Sequence, residues 1–371
     1  MQNLKPVVPV LGDQPTPNAS TESPAKRLGW IGRGFRLLGL MALNLALLCA
    51  TLWAVAALYF DVRTPSLRLP LAAMYALAVF AVWILGRGRW LAWGLTAGGF
   101  LVVLAGWFTL KPSNNRDWQP DLAVLAYADI NGNEVTVHNI RNCDYRTATD
   151  FDVRHYDKTF DLQKIRTMDL YMVYWGAPYM AHTMMSFGFE GGDYLCFSIE
   201  TRKTKGQDYS AIRGLFRQFT LISVVADERD LARLRTNYRK GEEVYLYRLR
   251  STPEQARKFL LDYLRRLNRL RQQPEWYNAV TDNCTTGIRV QRAAADRAPW
   301  DWRMLANGYG DELLYERGMI ATNFPLAELK QRCHINDRAR AAGQAEDFSA
   351  RIRQGVPGIE PAASTPEGSS K

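Results

Sequence analysis

Histidine and metal-binding spacings are scarce in this 371-residue chain, which has four histidines (His138, His155, His182 and His334) and five cysteines. Neither type recurs as Cys-x-x-Cys or His-Glu-x-x-His, so the patterns of structural and hydrolytic zinc sites are excluded, and no metal or cofactor is expected. Also absent are the Gly-x-Ser-x-Gly elbow, the Gly-x4-Gly-Lys-Ser/Thr loop and the Gly-x-Gly-x-x-Gly fingerprint. Serine hydrolase, P-loop and Rossmann chemistry therefore have no carrier here. Residues 37–60 lack any charged side chain, and 24 such residues in a helix cross a hydrocarbon core of roughly 30 Å. That excludes a fully soluble protein, while the polarity of the remaining stretches excludes a polytopic transporter.

Two further apolar runs follow, 69–85 and 90–110, the latter with Trp90, Trp93 and Trp107 near its ends, where indoles favour the interface. Three transmembrane helices are expected within 36–110. Lys26, Arg27, Arg33 and Arg36 precede the first, and Arg87 and Arg89 fill the connection between the second and third, so both sites are expected in the cytoplasm. Everything after Lys111 is then expected on the outer side of the membrane. Residues 1–35 read as a cytoplasmic tail rather than a cleaved signal peptide, since the apolar run is too long for an h-region. The Pro-, Ser- and Thr-rich segment 14–24 and the end, 356–371, have too little apolar surface to order. Of the net charge of +10, residues 1–111 hold ten basic against three acidic residues, which leaves a surplus of three for the rest of the chain. The basicity belongs to membrane topology, and no nucleic-acid partner is expected.

Residues 112–355 carry both secondary-structure periods. Alternation across 122–141 around Asn131-Gly132 predicts a hairpin. Residues 170–175 predict a buried strand, 182–190 and 194–202 a second hairpin, and 244–248 another strand. A short charged helix is expected over 227–236 and a long one over 253–271, capped by Thr252 with Pro253 at its first position. In the long helix Phe259, Leu260, Tyr263, Leu264, Leu267 and Leu270 recur at three and four, which marks a buried face. Further helices are expected over 284–297 and 336–353. The fold class is α+β, with three N-terminal transmembrane helices followed by a domain of one core.

Cys49 falls within the first apolar run, leaving Cys143, Cys196, Cys284 and Cys333 in an oxidising compartment, enough for two disulfides. Cys284 differs in opening a helix, where unpaired backbone N–H groups and the positive end of the dipole favour a thiolate. A thiolate there can attack a carbonyl, with a backbone N–H for the oxyanion and a histidine acting as base and then as acid. His182 is the candidate base, because it begins a strand instead of lying on a charged helix. A three-residue turn over 191–193 sets His182 opposite Arg202, with Glu200 diagonal on the same face and able to hold the ring. A two-residue turn puts Ile199 and Thr201 on that face instead. Ser198 is the substitute for Glu200. Plainer readings stand beside these: a cysteine at a helix start is often a buried hydrophobe or half of a disulfide, and a strand histidine is often a core residue.

Residues 181–203, 224–239 and 275–286 carry His182 with Phe187, the stretch Ala226 to Asp230, and Asn283-Cys284-Thr285-Thr286. Together they resemble the signature blocks of the periplasmic-domain family of Lnb-type lipoprotein intramolecular transacylases, over most of 120–355. The resemblance implies a permuted papain-like (NlpC-type) fold in which the histidine strand precedes the cysteine helix, as here. It implies Cys284 as nucleophile, His182 as general base and Asn283 as a conformational or oxyanion-supporting neighbour. The implied activity is acyl transfer through an acyl-thioenzyme, the founding case moving an acyl chain from the diacylglyceryl group of a lipoprotein to its N-terminal amine. Expected partners are the inner membrane and a lipoprotein, phospholipid or peptidoglycan-derived substrate. Two alternatives remain open: a cell-wall peptide amidase or endopeptidase with the same dyad, and a silent envelope scaffold in which Cys284 pairs with Cys143, Cys196 or Cys333.

Overall fold

An apolar run outside water has only its own backbone to satisfy its N–H and C=O groups, and the three runs here form helices. A computed structural model of the chain describes residues 24–86, 88–281, 284–291, 297 and 299–359, excepting the side chains of 24–32, 284, 285, 290 and 291. The helices are α1 (Pro24–Asp61), α2 (Pro65–Leu85) and α3 (Arg89–Phe108). Each contains a segment long and apolar enough to cross a membrane: Arg33–Asp61, Pro65–Leu85 and Arg89–Phe108. α2 starts four residues before its apolar run because Pro65, which needs no N–H partner, occupies its first position. Side chains such as Leu38, Leu77 and Val102 point outward, a surface suited to lipid and not to water. The few polar groups pair internally: Trp93 Nε1 donates to Asn44 Oδ1 at 3.1 Å and Trp83 Nε1 to Thr96 Oγ1 at 3.0 Å.

Residues 60–68 and 106–371 form a second unit. Its strands are β1 (Tyr127–Asn131), β2 (Glu134–Arg141), β3 (Asp144–Tyr145), β4 (Phe151–Asp152), β5 (His155–Asp161), β6 (Ile165–Trp175), β7 (Ala181–Phe189), β8 (Tyr194–Arg202), β9 (Thr220–Ala226) and β10 (Glu242–Arg248). The main sheet runs β1-β2-β9-β8-β7-β6-β10, with β5 also paired to β2; β3 and β4 form a separate ladder. Its helices are α4 (Glu228–Arg233), α5 (Pro253–Gln272), α6 (Cys284–Gln291), α7 (Gly310–Glu316), α8 (Leu326–Cys333), α9 (Asn336–Ala342) and α10 (Phe348–Arg351).

β7 is buried along its whole length between β6 and β8, because both sheet faces are covered there. On one face α5 presents Phe259 and Tyr263 to Phe187 and Phe197, with Tyr263 stacked edge-on at 5.0 Å from Phe197 and 5.7 Å from Phe187. Each such ring contributes about 1.5–3 kcal/mol by leaving water. Thr252 caps α5 in a reciprocal box with Gln255, as its position before Pro253 predicts. The other face is covered around α4.

Several expectations need correction. The first hairpin pairs Asn131 with Glu134, so its loop is Gly132-Asn133, one residue later than expected, with Gly132 at φ 62°. The second pairs Gly188 with Tyr194 and turns through residues 190–192, because Gly191 and Gly192 both take positive φ. His182 is thereby aligned with Glu200 and not with Arg202. Strands β5 and β9 were not anticipated: β9 is buried at every position and shows no alternation to read. The helix expected over 227–236 leaves the α form after Arg233 and continues as a wider π turn, Leu234–Tyr238. The helix expected over 336–353 is broken at Gly343, where φ is 57°, into α9 and α10. Of the helix expected over 284–297, the part to Gln291 is described.

Candidate active site

The segment that follows β9 anchors one face of the sheet. Asp227 caps α4 by accepting from Arg229 N at 2.9 Å. Glu228 is fully buried and accepts from Tyr171 Oη (2.7 Å), Ser186 Oγ (2.6 Å) and both terminal nitrogens of Arg353 (2.7 Å). Arg353 also holds Asp169 at 2.8 Å, and Asp230 holds Arg141 at 2.8 Å with the backbone N–H of Cys143. Stripping one partner from such a buried pair costs about 3–5 kcal/mol. These bonds fix α4, and the π turn after it directs Arg235 inward, where its side chain is 5% exposed.

Arg235 belongs to a polar chain that includes His182. The two strand residues Ser198 and Glu200 lie on the same face of β8 as His182 does of β7. Ser198 Oγ donates to Glu200 Oε1 at 2.7 Å, while His182 Nε2 lies 2.7 Å from Ser198 Oγ and 3.1 Å from Glu200 Oε1. Ser198 has one proton and gives it to the carboxylate, so the hydrogen between His182 and Ser198 must be on Nε2. When the ring is unprotonated, its basic lone pair is then on Nδ1. Arg235 Nη2 donates to the same Glu200 Oε1 at 2.9 Å, and Glu242 accepts from Arg235 at 3.4 Å and from Arg239 at 3.3 Å. Burial alone would raise the Glu200 pKa; the charge and hydrogen bond of His182, with Arg235 and Ser198, outweigh it and hold the carboxyl well below its ordinary range. Glu200 is thus an ionised anchor for the Nε2 side of the ring.

α6 packs against β7 and β8. The chain reaches it along the sheet, with Leu221 N bonded to Glu275 O and Tyr277 N to Phe219 O, then turns at Asn278, whose Oδ1 accepts from the N–H groups of Val280 and Thr281. Gly287 rests on Ile199: a Cβ on that glycine would stand 2.8 Å from Ile199 Cδ1. Ile199 leaves β8 on the face opposite Ser198 and Glu200, and the β7–β8 ladder ends with the pair Met184 and Ser198. Cys284 is the first residue of α6; its side chain and the whole of Asn283 lie outside the described residues.

Ser198 and Glu200, alternatives on sequence grounds, are both at His182, with Ser198 between. The residue the sequence reading missed is Arg235. Its only signal was an arginine eight positions after a capping aspartate, and nothing local marks such a residue as a partner for Glu200. The disulfides that the cysteine count allowed are not formed: Cys143, Cys196 and Cys333 are free and buried. That removes them as partners of Cys284 in a scaffold. Burial pushes the thiols of Cys143 and Cys333 up to about 12 and that of Cys196 well above its ordinary value, so none is a nucleophile near neutral pH. Among the described residues no group of three or more His, Cys, Asp or Glu is arranged to hold a metal ion.

Residues 152–308 match the family model of the Lnb N-terminal periplasmic domain. The match includes His182, Ser198, Glu200, Arg235 and Cys284 and excludes the three apolar helices, so it is narrower than the span of resemblance read from the sequence. It supports an Lnb-type envelope protein, anchored by apolar helices and carrying a periplasmic-type domain. No curated protein and no solved structure matches the chain.

Proposed function

We propose that this protein is a membrane-anchored thiol acyltransferase or hydrolase in which Cys284 is the nucleophile and His182 its base, with the permuted NlpC-type relation that the resemblance implies. The observation that carries the reading is the chain His182–Ser198–Glu200–Arg235, which leaves Nδ1 as the basic nitrogen of a ring held from its other side. Cys284 and His182 meet, in this reading, at the open end of the β7–β8 pair, beyond Met184 and Ser198.

In the first half-reaction Nδ1 takes the thiol proton, and sulfur adds to the ester carbonyl of a lipid-linked acyl group. The tetrahedral intermediate collapses, the alkoxide leaves, and Nδ1–H returns the proton to it. The products are a free alcohol and an acyl-thioenzyme. In the second, an amine or water loses its proton to Nδ1, attacks the thioester and regenerates the thiol. Backbone N–H groups at the start of α6 hold the oxyanion, with Asn283 in the supporting role that the resemblance implies, a contribution typically of 10²–10³ in rate. Glu200 stabilises the imidazolium, and Arg235 positions Glu200. The domain acts on the outer side of the bacterial inner membrane, with the N-terminus in the cytoplasm.

The test is labelling of the full-length protein with an iodoacetamide probe across pH, with Cys284→Ala as the blank. Wild type should label at Cys284 near neutral pH, and His182→Ala should slow it; labelling that ignores His182 would sink the dyad. An acyl-enzyme trapped from a fluorescent lipoprotein or phospholipid, and not from a cell-wall peptide, then selects lipid over peptidoglycan chemistry.

A further inference from the structure

The second unit contains a cavity of about 380 Å³ made from the ends of the apolar helices and the domain beside them. Asp61 and Arg63 come from the end of α1 and the loop after it, Arg68 from α2, Lys111 and Arg116 from the segment after α3, and Arg217 and Trp276 from the domain. Five cations therefore face one carboxylate.

That carboxylate is turned inward. Asp61 is buried and accepts from Trp107 Nε1 at 2.8 Å, Gln218 Nε2 at 2.7 Å and Arg217 N at 3.2 Å. Arg217 closes the end of α3 by donating to Trp107 O at 2.7 Å and Leu110 O at 2.6 Å, with its guanidinium 3.8 Å from the centre of the Trp107 ring. Trp276 Nε1 donates to Leu110 O at 3.2 Å. The floor is thus built and satisfied. Its rim is different: Arg63, Lys111 and Arg116 are exposed, and none of these three joins an ion pair among the described residues. Elsewhere in the domain arginines find carboxylates, as Arg141, Arg248, Arg266 and Arg353 do. The segment that leads to Arg217 exposes Tyr209, Ile212 and Leu215, while the Phe216 ring lies tilted with its centre 5.1 Å from that of Phe60. Unpaired cations over a satisfied floor where apolar helices end, with exposed apolar side chains on the segment that leads to Arg217, match a phosphodiester with acyl chains attached.

We infer that this cavity binds the phosphate of a membrane glycerophospholipid, taking anionic headgroups in preference to zwitterionic ones. Arg63, Lys111 and Arg116 supply the charge, and Ile212 and Leu215 lie against the glycerol and upper acyl region. The site is independent of the chemistry assigned to Cys284.

The experiment is native mass spectrometry of the detergent-purified full chain titrated with dioleoylphosphatidylglycerol, with dioleoylglycerol and with inorganic phosphate. Wild type should retain the phosphatidylglycerol and not the diacylglycerol. The triple variant Arg63→Gln, Lys111→Gln, Arg116→Gln should bind it roughly a hundredfold more weakly, the loss expected for three interfacial cations. The charge-preserving variant Lys111→Arg, Arg116→Lys should bind as wild type does. An unchanged thermal midpoint in all variants shows that the exposed side chains were removed without unfolding. Equal retention by the Gln variant, or equal binding of diacylglycerol, would overturn the site. Displacement of the lipid by inorganic phosphate at comparable concentration would assign the cavity to a small soluble anion instead.

Discussion

Replacing Gly287 by alanine probes how α6 is set on the sheet. The new Cβ would stand 2.8 Å from Ile199 Cδ1, where carbon atoms ordinarily rest about 3.5–4.0 Å apart, so either the Ile199 Cδ1 methyl swings to another rotamer or helix and strand separate by up to roughly 1 Å. Overpacking of this kind costs about 1–3 kcal/mol, and the better helix propensity of alanine returns up to about 1 kcal/mol. Gly287→Ala should therefore lose about 1–2 kcal/mol. Ile199→Val deletes the clashing Cδ1 and leaves Cγ2 at 3.4 Å and Cγ1 at 3.8 Å from that Cβ, at a cost of about 0.5–1.5 kcal/mol by itself. In the double variant the clash is gone while the helix gain stays, so its stability should match or exceed that of Ile199→Val alone. The assay is the thermal midpoint of the four full-length proteins in one detergent, where 1 kcal/mol corresponds to about 2–4 °C for a domain of this size. Labelling of Cys284 should follow the same pattern, since a displacement of about 1 Å can cost a hundredfold in rate. Additive effects of the two substitutions would refute the argument, because they would mean that α6 does not rest on Ile199.

Three further outcomes follow from the same geometry. Because the Glu200 carboxyl is held below its ordinary value of 4.5, its stabilising contribution is complete above that value and is lost as pH falls through the lower folded value; acid unfolding of wild type should be steeper below about pH 4.5 than that of Glu200→Gln, measured by intrinsic fluorescence. Arg353→Met leaves Glu228 and Asp169 buried without their shared cation and should cost about 3–5 kcal/mol, read as a fall in thermal midpoint, whereas a change near zero would mean that the network carries no net stability. In the native protein at neutral pH an alkylating reagent should leave Cys143, Cys196 and Cys333 unmodified, and denaturant should release all three; peptide mapping that finds any of them labelled in the folded state would contradict their burial.

What could be read in the residues is what depends on neighbours in sequence. A charge-free run of 24 residues becomes a helix whatever follows it, and Thr252 before Pro253 caps α5 with atoms three positions away. The face shared by His182, Ser198 and Glu200 was legible even though the expected hairpin register was wrong by two residues, since a shift of two returns every side chain to the same side. The register itself was not legible, because it depends on which of three adjacent turn positions take positive φ. Nor was the break at Gly343, which interrupts a pattern that reads as one amphipathic helix.

Pairing across long separations belongs to the tertiary structure alone. Arg235 meets Glu200 over 35 positions, Arg353 meets Asp169 over 184, and the three buried thiols stay apart although their number permits bridges. The same residue types in other surroundings would be solvated charges or disulfides. Composition determined that this chain has apolar helices and an α+β domain with a cysteine at a helix start and a histidine on a strand. The fold decided which carboxylate holds that histidine and which arginine holds the carboxylate, because burial and alignment turn weak surface pairs into fixed ones.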